Sequence, residues 1–131
     1  MEFVDNAEKL EMYSIIHCAK FPKKYTFTLS NEIVNYSRDI YNNVSSANEY
    51  PNTIDDYKRR LYLFNSSVEL LKKMVRQIRI ADQIFGIKAS VMQDRMDLID
   101  KEIRLIHGIM LTDKGMLKML IHDKENKEVN K

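Results

Sequence analysis

Glycine and proline are scarce in this chain, with three of the first and two of the second among 131 residues. Turns are therefore few and the elements between them long. That excludes a sandwich or a barrel, in which turn chemistry recurs every ~8–12 residues. Cysteine is scarcer still. Cys18 stands alone, so no internal disulfide and no zinc framework can form, and a reducing compartment is expected. The opening stretch MEFVDNAEKLEMYS places acids where a secretory signal needs bases. No apolar run approaches the ~18 residues that span a bilayer, and the expected setting is cytoplasmic.

What the chain does have is apolar content and charge in separate places. Hydrophobic residues make up 44% of it, enough for a core, and its length suits one domain. The net charge is only +2, but it is unevenly distributed. Before Lys20, Glu2, Asp5, Glu8 and Glu11 face a single base, Lys9. Between Tyr57 and Ile80 the balance reverses, with Lys58, Arg59, Arg60, Lys72, Lys73, Arg76 and Arg79 against Glu69 alone. A segment so biased suits an anionic partner.

Apolar spacing predicts four helices. The first runs from about Asp5 to Ala19, with Leu10, Met12, Tyr13, Ile15 and Ile16 on its apolar side. It must stop near Phe21-Pro22, because proline disfavours helical geometry in the residue before it. The second starts near Thr28 as N-cap and carries Leu29, Ile33, Tyr36, Ile40, Val44 and Ala47 at steps of four and three. Pro51 ends it. The third opens on a capping box, Thr53 with Asp56. Tyr57, Leu61, Phe64, Val68, Leu71, Val75 and Ile78 then form an unbroken seam, and Gly86 is the stop.

The fourth begins at a second capping box, Ser90 with Gln93, and its seam is Met92, Met96, Ile99, Ile103, Ile106 and Met110. Asp97–Lys101 and Asp100–Arg104 read as exposed ion pairs one turn apart. Thr112-Asp113 reads as a break, with a short amphipathic helix over Met116–Ile121 beyond it. The expected fold is an all-α, antiparallel up-down-up-down four-helix bundle over residues 1–122, and residues 123–131 form a disordered charged tail.

Apolar residues exceed what the seams need. Leu63, Leu70 and Met74 flank the third seam, Leu98, Leu105 and Ile109 the fourth, and Met116, Leu117, Met119, Leu120 and Ile121 form a further patch. Either the core stripe is wide or the subunit self-associates.

No catalytic constellation can be assembled. His17, His107 and His122 are far apart, and His17 and Cys18 point to different sides of their helix. Acid pairs such as Asp94–Asp97 and Asp100–Glu102 lack the Glu-x-x-His motifs of a di-iron bundle. Gly86, Gly108 and Gly115 are too dispersed for a phosphate loop, and Gly108 reads as a site of close helix approach. Hence no enzyme, metal or cofactor is expected. The feature with functional pull is the basic set: Lys72, Arg76 and Arg79 fall at steps of four and three on one helix face, with Lys73 beside them. Such a stripe can track phosphates, giving salt-dependent and sequence-independent binding.

The run Lys20-Phe21-Pro22-Lys23-Lys24-Tyr25-Thr26-Phe27-Thr28-Leu29, the later Arg60-Leu61-Tyr62-Leu63, and Ile84-Phe85-Gly86-Ile87 before the last helix carry a family likeness. Over Leu10 to Leu111 the chain resembles the accessory variability determinant family of diversity-generating retroelements, kin to four-helix proteins of ribosomal-RNA intervening sequences. The Ala-Glu-Gly-type motif of the intervening-sequence branch is missing, which favours the retroelement branch. The resemblance implies a barrel-like homopentamer with a positive surface. It also implies binding to RNA or DNA and to a reverse transcriptase during mutagenic copying of a template RNA. Lys20, Lys23, Lys24, Lys72, Lys73, Arg76 and Arg79 are the expected nucleic-acid contacts. The alternative is a non-catalytic adaptor whose basic helix meets an acidic protein.

Overall fold

The computed structural model describes residues 1–129. Four helices follow in order, α1 (Glu2–Cys18), α2 (Asn31–Glu49), α3 (Ile54–Phe85) and α4 (Ala89–Val129), with no strand among the described residues. Each packs on its chain neighbours, and α4 returns to pack on α1. The result is the antiparallel up-down-up-down four-helix bundle that the apolar spacing predicts. Phe64, Leu10, Ile33, Ile40, Leu71, Met74, Ile78, Ile99 and Ile106 fill its centre. Phe3 of α1 meets Phe64 of α3 edge to face at 5.5 Å, a favoured ring geometry.

The connections follow local chemistry. After α1, the N–H groups of Lys20 and Phe21 donate to His17 O and Cys18 O and close the helix before Pro22. A 3-10 turn (Lys23–Tyr25) and a π-helical turn (Thr26–Ser30) then lead into α2, so Thr28 lies inside a helical turn and is not the N-cap. Thr53 forms the expected capping box: its N–H donates to Asp56 Oδ2 (3.0 Å), and the Asp56 N–H returns to Thr53 Oγ1 (3.1 Å). At the far end of α3, Gly86 takes φ 77°, the left-handed side that glycine tolerates. Asp82 fixes that turn twice, accepting from the Gly86 N–H at its carbonyl and from the Ile87 N–H at its carboxylate.

The core stripe of α3 lies to one side of the predicted seam. Leu63 and Met74, assigned from spacing to the surplus, are buried, whereas Tyr57, Leu61 and Val75 are half-buried. Those two therefore belong to a wide core stripe. Several expectations for α4 are corrected. The helix starts at Ala89, Ser90 is within it, and Gln93 bonds Asp97 Oδ1 (2.8 Å) in place of closing a cap. Lys101 reaches across to Glu2 (3.3 Å) and not back to Asp97. Asp100 and Arg104 form no ion pair among the described residues.

No break occurs at Thr112-Asp113, and no separate helix starts at Met116. Both residues that suggested a break have partners within a continuous helix: Thr112 Oγ1 donates to Gly108 O (3.3 Å), and Asp113 is held by Arg60. The helix also runs through the segment expected as a disordered tail, up to Val129. Asn130 and Lys131, the rest of that expected tail, lie outside the described residues.

Gly108 faces open space, as does Gly115, and both are exposed in the middle of α4. Close helix approach therefore does not explain Gly108. Glycine in an exposed helix interior costs about 0.5–1 kcal/mol relative to alanine. Gly108→Ala and Gly115→Ala should each raise stability by that amount, measured as a higher urea midpoint at unchanged slope.

Candidate nucleic-acid interface

Lys72, Lys73, Arg76 and Arg79 are all exposed on α3. Lys72 Nζ lies 3.5 Å from Glu69 Oε1, an exposed pair one turn apart, which leaves the lysine free to exchange partners. Among the described residues no carboxylate comes within 4.0 Å of Lys73, Arg76 or Arg79. At 3.6 residues per turn, Lys58 and Tyr62 point the same way as Arg76, and both are exposed. The outward face of α3 is thus one stripe from Lys58 to Arg79, about 32 Å long, with Glu69 as its only acid. Arg59 sits over the Tyr62 ring at 5.4 Å and adds to its upper part.

Arg60 leaves this set. Its Nε and Nη2 bind the two oxygens of Asp113 at 2.8 and 3.2 Å, and Nη1 donates to Ala47 O at 3.1 Å. The guanidinium also lies against Phe64 and Tyr57, at 5.6 and 5.8 Å. With its side chain only 11% exposed and that of Asp113 3%, it ties α2, α3 and α4 together at one end of the bundle and is not available to a ligand.

Lys20, Lys23 and Lys24 are exposed around the first connection. That connection is anchored on Phe85, against which Phe21 packs at 4.8 Å and Tyr25 stacks at 5.4 Å. The three lysines therefore share with Arg79 the C-terminal end of α3. They do not share its face: Phe85 is nine residues beyond Arg76, two and a half turns, so the anchor lies on the opposite side of α3. The structure sets the seven sequence-assigned bases in two groups.

A different set of residues escaped the sequence reading. The buried face of α4 carries Arg95, Ile99, Glu102, Ile106 and Asp113, at steps of four, three, four and seven. It keeps Ile99 and Ile106 of the predicted seam, but the positions alternating with them move back by one residue, from Met96 to Arg95 and from Ile103 to Glu102. Three ionisable side chains thereby enter the bundle. Glu102, fully buried, accepts from Asn6 Nδ2 at 3.3 Å, and the same amide donates to Leu98 O at 3.0 Å. Burial pushes the Glu102 carboxyl up to about 8, with the Asn6 bond opposing the shift. Arg95 lies beside Cys18 and His17; burial raises the thiol and lowers the imidazole, while the charge of Arg95 lowers both.

No group of three or more His, Cys, Asp or Glu residues suited to a metal occurs among the described residues. No helix there is long and apolar enough to cross a membrane. No family model matches the chain, and no match was found among curated proteins or solved structures.

The Glu102 carboxyl has a stability consequence whose sign is fixed. Its folded value lies above the ordinary 4.5, so its contribution is complete below pH 4.5 and is lost as pH rises to about 8. Melting temperature should fall over that window. In Glu102→Gln that part of the fall should vanish, leaving the variant more stable than the parent at pH 8. Parallel curves for the two proteins would refute the assignment.

Proposed function

We propose that the bundle is a non-catalytic, oligomeric accessory protein that binds RNA or DNA without sequence preference, in the cytoplasm, for a retroelement reverse transcriptase. The observation that carries the nucleic-acid reading is the outward face of α3: exposed bases over about 32 Å, one acid among them, and, among the described residues, no competing carboxylate within 4.0 Å of Lys73, Arg76 or Arg79. Counter-ion release from a phosphate backbone drives binding to such a face. Tyr62, 65% exposed within the stripe, offers a ring on which an unpaired base can stack, the mode that suits single strands. The polymerase partner rests on the resemblance of Lys20 to Leu29, Arg60 to Leu63 and Ile84 to Ile87 to the accessory variability determinant family.

Self-association has its own support. Met12, Ile15 and Ile16 on α1, Phe27 on the first connection, and Leu111, Met116 and Met119 on α4 are all exposed. Side chains of this kind are buried by subunit contacts in ring-shaped assemblies, and the pentamer implied by the resemblance is the form we favour.

Two measurements test this reading. Anisotropy with a generic single-stranded RNA at low salt should show binding that weakens steeply as salt rises. The triple variant Lys72→Ala, Arg76→Ala, Arg79→Ala, checked for intact helicity, should lose at least ~10-fold in affinity and about 2–3 from the logarithmic salt slope. Equal binding by parent and variant, or binding only to an acidic polypeptide, would favour the adaptor over the nucleic-acid reading. Light scattering should give a mass several times 15.5 kDa; a monomer would remove the assembly from the proposal.

A further inference from the structure

Every buried side-chain polar atom that lacks a hydrogen-bond partner among the described residues belongs to α1 or α4. They are Asn6 Oδ1, Ser14 Oγ and His17 Nδ1 on α1, with Arg95 Nε and Nη1 and Glu102 Oε2 on α4. Elsewhere the bundle satisfies its buried polar groups, as Arg60 and Asp113 illustrate. Arg95 is different in kind. A buried guanidinium needs a counter-charge or several acceptors, since an unpaired buried ion is among the costliest things a fold can hold. Arg95 is 3% exposed, and no carboxylate of the described residues lies within 4.0 Å of it.

Arg95 also lines a cleft of about 260 Å³ between the two helices, with Lys9, Tyr13 and His17 from α1 and Asp94, Asp97 and Leu98 from α4. That volume lies below the ~300–1,000 Å³ of sites for drug-sized ligands, a size that suits a compact group. The charges are layered. Arg95 is inside, whereas Lys9, Asp94 and Asp97 are exposed at the mouth. The mouth thus carries one base against two acids, all solvated and screened by water, whereas the inner charge is poorly screened and governs what is held. Tyr13 and His17 stack at 5.6 Å and form one wall. From these placements we infer that the α1–α4 cleft is a binding site for a small oxyanion, a phosphate or a carboxylate, held by Arg95 with Lys9 at the mouth.

The site is separate from the basic stripe on α3, and the test keeps the two apart. Thermal melts of the full chain are recorded in sodium phosphate, in sodium acetate and in sodium chloride at matched pH and ionic strength. At ~10–100 times the dissociation constant, a ligand bound only by the folded state raises the melting temperature of a domain this size by roughly 5–10 °C. The parent should show that rise in phosphate or acetate relative to chloride, and which of the two acts identifies the anion. Arg95→Met, which removes the buried charge while keeping an apolar stem, should remain folded and lose the rise. Lys9→Ala should shift the response to higher anion concentration. The triple alanine variant of Lys72, Arg76 and Arg79 should keep the response in full. No difference between either anion and chloride in the parent, or an equal response in Arg95→Met, would overturn the proposal. A response lost only in the triple variant would also overturn it and would assign the anion to the α3 stripe.

Discussion

The structure turns on how α4 enters the bundle: the face it buries carries Arg95, Glu102 and Asp113 alternating with Ile99 and Ile106. An amphipathic helix ordinarily settles its apolar stripe inward, and α4 has enough apolar residues on either side to do so. The rotation it adopts makes each charge a separate problem. Asp113 is met by the fork of Arg60, in two-point geometry that suits arginine better than lysine. Glu102 is met by an amide and by neutrality. Arg95 is met by Cys18, a weak partner, and by the cleft. These three solutions, from complete to incomplete, run along α4 from its C-terminal half toward its N-terminus.

The surface follows a simpler rule. Charge of one sign was placed where no helix needs it, on the outward side of α3, and acids elsewhere in the chain, four of them in α1, balance it in the total. A net charge of +2 therefore conceals a strongly polar arrangement. Association with an anion depends on the local field at the stripe rather than on the sum, especially at salt concentrations where the screening length is near 10 Å. Arg60 shows the limit of counting bases along a sequence. It stands next to two exposed neighbours, Lys58 and Arg59, and is nonetheless part of the interior frame.

Much of the fold was legible because the periodic signals were long. Thr53 with Asp56, Pro22, Pro51 and Gly86 mark the ends of helices by local chemistry that does not depend on the rest of the molecule. The misreadings have a common cause. Ser90 with Gln93 and Thr112-Asp113 carry local preferences that partners elsewhere or simple tolerance within a long helix override, and Gly108, expected at a close helix contact, is likewise merely tolerated. The α4 seam is correct at Ile99 and Ile106 and off by one residue at the positions alternating with them, because an apolar count prefers Met96 and Ile103 to Arg95 and Glu102. Only the position of Arg60 and Asn6 on neighbouring helices makes the charged register acceptable. The basic face of α3 was legible from spacing, whereas the α1–α4 cleft requires two segments some 80 residues apart in the chain to be seen together.

The bond between Asn6 and Glu102 joins residues 96 apart in sequence. During synthesis, at about 5–20 residues per second, α1 leaves the ribosome several seconds before the helix that covers it exists. Throughout that interval Phe3, Leu10 and the buried polar groups of α1 can rest only on α2 and α3, while the side meant for α4 stays open to water. The first helix of the bundle to be made is therefore among the last to be enclosed, and α4 closes the fold in the manner of a keystone, set after its neighbours stand.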